Sequence, residues 1–119
     1  MSDRIRLSGL KARGHHGVYD FERRDGQDFV VDVDLELDLA RAAATDDVAD
    51  TVHYGELAGG LVEVISGEPV NLIETLADRL ATVCLADARV AAATVTVHKP
   101  QAPIPHEFAD VAVVVRRAR

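Results

Sequence analysis

The chain has no tryptophan, one cysteine and one methionine, and only two tyrosines and three phenylalanines among 119 residues. The lone Cys84 excludes an internal disulfide and fits a reducing cytoplasm. It falls inside an apolar helical pattern, which reads as a small core residue and not as a nucleophile. No apolar run approaches the length of a membrane span, and the opening Met1-Ser2-Asp3-Arg4-Ile5-Arg6 has no apolar signal core. Positive charge is also short. Thirteen Lys and Arg against twenty Asp and Glu give a formal charge of −7, which argues against nucleic acid and against anionic membrane surfaces as partners. A glycine-rich phosphate loop, a GxSxG elbow and any cysteine–histidine arrangement at a recognisable spacing are missing too.

What is there reads as one globular domain over residues 1–119, 48% hydrophobic and long enough for a single core. Ile5, Leu7 and Gly9 alternate with Arg4, Arg6 and Ser8, a strand signature that slips at Gly9 and predicts a β-bulge there. Residues 13–26 read as a long loop carrying Glu22, and long loops in compact domains are often functional. From Gln27 to Leu39, Phe29, Val31, Val33, Leu35, Leu37 and Leu39 share one face of a strand, opposite Asp28, Asp32, Asp34, Glu36 and Asp38. The Ala-rich residues 40–49 predict a short helical turn. Tyr54, Leu57, Ala58, Leu61, Val64 and Ile65 recur at helical spacing and predict a helix over 54–66, stopped by Gly67-Glu68-Pro69. Asn71 is placed to cap a second helix whose apolar face is Leu72, Ile73, Leu76, Leu80, Val83 and Cys84. Strands over 93–99 and 109–117 complete the chain.

The order strand, strand, helix, helix, strand, strand predicts an α+β fold. A four-stranded antiparallel sheet carries both helices on one face. Such a sheet has two open edges and one uncovered face, and both are relieved if several copies close into a β-barrel ring. A symmetric homo-oligomer is the expectation.

The most distinctive stretch is His98-Lys99-Pro100-Gln101-Ala102-Pro103-Ile104-Pro105. Proline has no N–H and forces the residue before it toward an extended conformation, so Lys99 ends a strand on a stiff mount. A neutral amine there at pH 7 requires burial or a cationic neighbour. Taken singly, Glu22 reads as a solvated loop carboxylate and Tyr54 as a core aromatic. Glu74, three residues after Asn71, has capping-box spacing, yet its carboxylate is equally suited to accept two parallel hydrogen bonds from an amidine-like ligand edge. His15, His16, His53 and His98 raise the question of a three-histidine metal site. Adjacent histidines on extended chain point apart, and no HxH or HxxxH pair exists, so no metal is expected.

Four blocks in register carry a resemblance that covers nearly the whole chain. Gly14-His15-His16-Gly17-Val18-Tyr19 with Glu22 and Gly26-Gln27, then Asp50-Thr51-Val52-His53-Tyr54, then Asn71-Leu72-Ile73-Glu74-Thr75-Leu76-Ala77, then His98 to Pro105, resemble the signatures of dihydroneopterin aldolase. The resemblance implies the tunnelling fold, with tetrameric rings stacking into octamers and sites between subunits. It implies a folate-pathway reaction in which 7,8-dihydroneopterin is cleaved to 6-hydroxymethyl-7,8-dihydropterin and glycolaldehyde. Neither a metal, a Schiff base nor any other cofactor is needed, because the C=N bond of the dihydropterin ring serves as the electron sink. By resemblance Lys99 is the general acid/base and Tyr54 assists through an ordered water. Glu74 anchors the pterin edge, Ile73 adds a backbone contact, Glu22 holds the dihydroxypropyl chain or a water, and Val18 and Val52 line the pocket. Tyr54 and Val18 are expected to reach a pocket whose Glu74 and Lys99 come from a neighbour. Two positions depart from the pattern: His53 stands where asparagine or aspartate is expected, and Gly55 where a better helix former is usual. A 2′-epimerase of the same fold and a non-catalytic pterin- or purine-binding ring are the alternatives.

Overall fold

The computed structural model of the protein describes residues 3–119. Four strands, β1 (Arg4–Gly14), β2 (Gln27–Glu36), β3 (Ala92–His98) and β4 (Ala112–Ala118), form one antiparallel sheet in the order β1-β2-β3-β4. The two long helices, α3 (Tyr54–Ile65) and α4 (Ile73–Leu85), cross over between β2 and β3. Two short helices, α1 (Asp20–Asp25) and α2 (Ala40–Thr45), and a single 3₁₀ turn (Val48–Asp50) fill the connections.

The period-2 alternation of β2 fixes the layers. Phe29, Val31, Val33 and Leu35 are buried under the helices with Val95 and Val97 of β3, against Leu61, Ile65, Leu76 and Leu80. Cys84 is part of this core, and burial raises its thiol to about 11, as expected of a small packing residue. The opposite face is uncovered and charged. Asp34 takes Arg6 at 2.8 Å and Arg4 at 3.3 Å, Glu36 takes Arg116 at 3.0 Å, and Asp28 lies 3.6 Å from Lys11. The carboxylates of β2 thus sit mid-sheet between arginines and a lysine of both neighbouring sides.

The register of β1 on β2 shifts between Leu7 and Leu10, which is the expected bulge at Gly9. The bulge turns the Gly9 N–H to donate to Asp32 Oδ1 at 2.7 Å.

Several boundaries differ from the sequence reading, each for a local reason. The stretch 13–26 is not all loop: β1 runs to Gly14, and Asp20–Asp25 turns into α1, capped by the Glu22 side chain reaching back to the Tyr19 N–H at 3.3 Å. The second strand stops at Glu36 rather than at Leu39. Leu37 stays in the core, while Leu39 serves as the N-cap residue of α2. The third strand ends at His98, one residue before Lys99, although the Lys99 N–H still donates to the Val111 carbonyl at 2.8 Å. The fourth strand starts at Ala112. Asn71 does not cap α4. The N-cap is Leu72, without a side-chain bond, because the Asn71 amide oxygen accepts from the Arg23 guanidinium. The capping box expected of Glu74 is therefore absent. Among the described residues no helix is long and apolar enough to cross a membrane.

Candidate active site

Glu22 is not a solvated carboxylate. It is only 3% exposed, and its Oε2 lies 2.7 Å from Lys99 Nζ. The pair is built from local structure. Pro100 and the bond from Lys99 N–H to Val111 hold Lys99 just past the end of β3. The single turn of α1 lifts Glu22 back over the start of β2, where Gln27 Nε2 donates to its Oε2 at 3.0 Å. Gly17 makes the close approach possible. Its φ of +150° is a glycine conformation, and a Cβ there would lie 2.4 Å from the Glu22 carboxyl carbon. Burial alone pushes the Glu22 carboxyl up. The hydrogen bonds from Lys99 and Gln27, the Lys99 charge and the Tyr19 N–H outweigh it, so the group is held below the usual carboxylate range. The neighbour of Lys99 is thus an ionised carboxylate and not a cation. Gln27 is 6% exposed, and its Oε1 is buried with no partner among the described residues.

A chain of hydrogen bonds ties this pair to the start of α4. The Gly17 N–H donates to the Val70 carbonyl at 2.9 Å, and Arg23 Nε donates to the Gly17 carbonyl at 2.8 Å. The Val70 N–H donates to His16 Nδ1 at 3.0 Å, which leaves the His16 proton on Nε2 to donate to the Ile65 carbonyl at 2.6 Å. Burial holds His16 below its ordinary value, and the buried imidazole stays neutral. His16 is a staple between the loop before α1 and the α3–α4 connection. It brings Ile73 and Glu74 to the same end of the molecule as Glu22 and Lys99. Glu74 is exposed in the first turn of α4, whose leading N–H groups have no side-chain cap. A carboxylate acceptor thus stands beside a helix start that has no side-chain cap.

Val18, 62% exposed, shares an open groove with Arg23, Asn71, Leu72 and Thr75. The chain itself therefore places Val18 on the Glu22 side. Tyr54 and Val52 lie elsewhere. They line a groove of about 380 Å³ with Asp46, Val48, Thr51 and His53 beside α2. Val52 is a core side chain at the floor of that groove. Tyr54 is 64% exposed, which corrects its reading as a core aromatic: as the first residue of α3 it stands beyond the end of the packed surface. The departures at positions 53 and 55 belong together. His53 is the N-cap of α3, with Nδ1 accepting from the Glu56 N–H at 3.1 Å, and its ring occupies the space over Gly55, where a Cβ would lie 3.1 Å from His53 Cε1.

The histidines are dispersed over separate tasks. His15 Nδ1 bonds the Arg23 carbonyl at 2.9 Å, His16 staples the connection, and His53 caps α3. His98 lies between Asp110 (Nδ1, 2.6 Å) and Asp32 (Nε2, 2.7 Å), and hydrogen bonds to Asp110 and Asp32 raise its pKa. His16 and Gln27 fall within the first resembling block, but their tasks could not be read from the sequence: the His16 staple needs Ile65 and Val70, far along the chain, and the Gln27 bond needs Glu22 turned back by α1.

The sequence model of the FolB dihydroneopterin aldolase family matches residues 5–116. Dihydroneopterin aldolase of Streptomyces coelicolor is 58% identical over 117 residues, spanning 98% of both chains, and that of Bacillus subtilis is 41% identical, again spanning 98% of both. Among solved structures, Escherichia coli dihydroneopterin aldolase in complex with neopterin superposes with a TM-score of 0.89 at 30% identity, over 98% of this chain and 99% of that one. The enzyme of Burkholderia thailendensis bound to guanine gives 0.79 at 27% identity, over 98% and 91%. With the sheet, helices and connections of the tunnelling fold and matches over nearly its whole length, the chain belongs to the dihydroneopterin aldolase family, lyases of folate biosynthesis.

Proposed function

We propose that residues 1–119 act as one domain of a cytoplasmic homo-oligomeric ring that cleaves 7,8-dihydroneopterin without metal or Schiff base, with Lys99 as general acid/base. The observation that carries this reading is the buried Glu22–Lys99 pair, at 2.7 Å. It fixes an amine at the end of a strand, beside an uncapped helix start that carries Glu74.

The pterin and guanine bound by the two relatives share an amide C=O, a ring N–H and a 2-amino group on one edge. Glu74 accepts from the N–H and amino groups, and the Ile73 backbone N–H at the start of α4 donates to the carbonyl. The dihydroxypropyl chain then extends toward Glu22 and Lys99. Lys99, once its own proton has passed to water, removes the 2′-hydroxyl proton. The C1′–C2′ bond breaks, glycolaldehyde leaves, and the electron pair passes through C6 to ring N5. Return of the proton to C1′ gives 6-hydroxymethyl-7,8-dihydropterin. Epimerisation at C2′ follows when the aldehyde re-adds on its other face before release.

Tyr54 and Val52 lie in a groove separate from Glu22 and Lys99. Tyr54 serves this chemistry when a second copy brings its groove against the first copy's Lys99. The open edges of β1 and β4, the uncovered charged sheet face and the elongated 52 × 24 × 21 Å shape support closure of sheets into a tetrameric ring, and two rings into an octamer. Mixing inactive Lys99→Ala with inactive Tyr54→Phe tests this. Co-assembled subunits restore roughly a quarter of the native rate if each site takes Lys99 and Tyr54 from different copies. No restoration in verified mixed oligomers overturns the shared site.

A further inference from the structure

Gln27 is buried at the first position of β2, and its two amide ends are treated unequally. Nε2 donates to Glu22 Oε2 at 3.0 Å, while Oε1 is enclosed with no partner among the described residues. Buried polar atoms are almost always paired, and an unpaired one is costly. Turning the amide over would aim a carbonyl oxygen at an ionised carboxylate, an acceptor against an acceptor. The orientation is thus dictated by Glu22 and not by the surroundings of Gln27. A methionine or leucine would fill the same space without an orphaned oxygen.

We propose that Gln27 is a positioning residue for the reaction: it keeps Glu22 ionised and its Oε2 aimed at Lys99, and so sets the acid limb of the pH–rate profile. The inference rests on the reading that the Glu22–Lys99 pair is catalytic. Glu22 is gripped from three elements: Lys99 from the end of β3, Gln27 from β2, and the Tyr19 N–H from the start of its own helix. The other charged groups of α1 are Asp20, Arg23, turned toward Gly17 and Asn71, and the Arg24–Asp25 ion pair, while the neutral His16 lies behind Gly17. Of the side chains that hold the carboxylate, only Gln27 is uncharged, so replacing it changes hydrogen bonding and leaves the charge balance alone. If Glu22 takes up a proton, it ceases to be an ionic partner for Lys99 and the amine loses its anchor. The Gln27 amide, with Lys99 and the Tyr19 N–H, supplies a hydrogen bond that opposes this at mildly acidic pH.

The test compares the wild-type ring with Gln27→Met, which keeps length and volume. Two titrations are run. The ¹³C shift of the Glu22 carboxyl is followed by NMR without substrate, and kcat for 7,8-dihydroneopterin is followed with pH. In Gln27→Met the Glu22 midpoint and the acid limb of kcat both move toward neutrality, by on the order of one pH unit. A Glu22 midpoint that stays in place, or a loss of kcat by the same factor at every pH, overturns the proposal. Should Gln27→Met fail to assemble, the wild-type protein still decides. The Gln27 side-chain ¹⁵N resonance titrates together with the Glu22 carboxyl if the bond operates, and independence of the two overturns it. Because the NMR titration needs no turnover, a moved midpoint in a protein with no aldolase activity supports the Gln27–Glu22 link and removes only the catalytic reading.

Discussion

Lys99 Nζ and Glu22 Oε2 lie 2.7 Å apart, both largely withdrawn from water, at the junction of the strand that ends at His98 and the short helix that starts at Asp20. A buried pair of this kind gives geometry rather than large net stability, but breaking it strands a charge. Lys99→Ala is expected to lose about 3–5 kcal/mol by that route, measured by urea unfolding. The double variant Lys99→Met with Glu22→Gln, which removes both charges, loses much less. Both lose most of their aldolase activity. Equal stability loss in the single and double variants would mean that the pair is not energetically coupled.

Gly17→Ala is the sharpest packing test. Its Cβ would meet the Glu22 carboxylate at 2.4 Å on a backbone whose φ of +150° already disfavours a side chain. The account expects a cost of about 1–3 kcal/mol and a fall in kcat of at least about tenfold through displacement of Glu22. Native-like stability and kcat in this variant would place Glu22 elsewhere.

His53 and Gly55 are expected to be non-additive. Gly55→Ala removes a helix glycine, worth about 1 kcal/mol of stabilisation, but crowds the His53 ring, whose Cε1 would sit 3.1 Å from the new Cβ. In a His53→Asn background, where the cap is smaller, Gly55→Ala stabilises by close to the full amount. His53→Ala loses about 1 kcal/mol of capping. Thermal unfolding of the four proteins checks the cycle. Additive effects would show that the two positions are independent.

The clamp on His98 predicts a pH dependence with a definite sign. Asp110 and Asp32 raise its folded pKa above the unfolded value, about 6.5. Its contribution is therefore complete below that value and is lost as the pH rises through the higher, folded pKa. His98→Gln should lower Tm more at pH 6 than at pH 9. Glu22 works in the opposite sense: its folded pKa is lowered, so its contribution is present above the unfolded value and lost as the pH falls through the folded one. An equal Tm loss in His98→Gln at both pH values would mean that the imidazole is not held charged.

Glu74 separates a cap from a ligand group. It stands exposed in α4, whose N-cap is Leu72 without a side-chain bond. Glu74→Gln should therefore leave stability within about 0.5 kcal/mol while weakening pterin affinity strongly, by isothermal titration. Unchanged affinity would release Glu74 from the anchoring role.

The sheet was legible because side-chain alternation in β2 is a local property: Phe29 to Leu35 bury as a set whatever the chain does elsewhere. Gly9 was legible for the same reason, since a slip of parity within one strand requires a bulge. The state of Glu22 was not legible. Its burial depends on Lys99, on Gln27 and on the room left by Gly17, partners that only the fold assembles. Asn71 misled because Arg23 claims the amide oxygen that capping would have used. Tyr54 misled because helical periodicity assigns a face but does not say where the packed surface ends. Of the residues in the four resembling blocks, the fold pairs Glu22 with Lys99 and sets Val18 near that end, while Tyr54 and Val52 lie in a separate groove.

The most direct test of metal-free cleavage at the Glu22–Lys99 pair is the rate of glycolaldehyde release from 7,8-dihydroneopterin, without oxygen and in excess EDTA, by wild-type and Lys99→Ala rings side by side. The account predicts undiminished wild-type turnover with one glycolaldehyde per 6-hydroxymethyl-7,8-dihydropterin, and a drop of about 10²–10⁴-fold in Lys99→Ala. Turnover that EDTA abolishes, or that survives intact without Lys99, would contradict it.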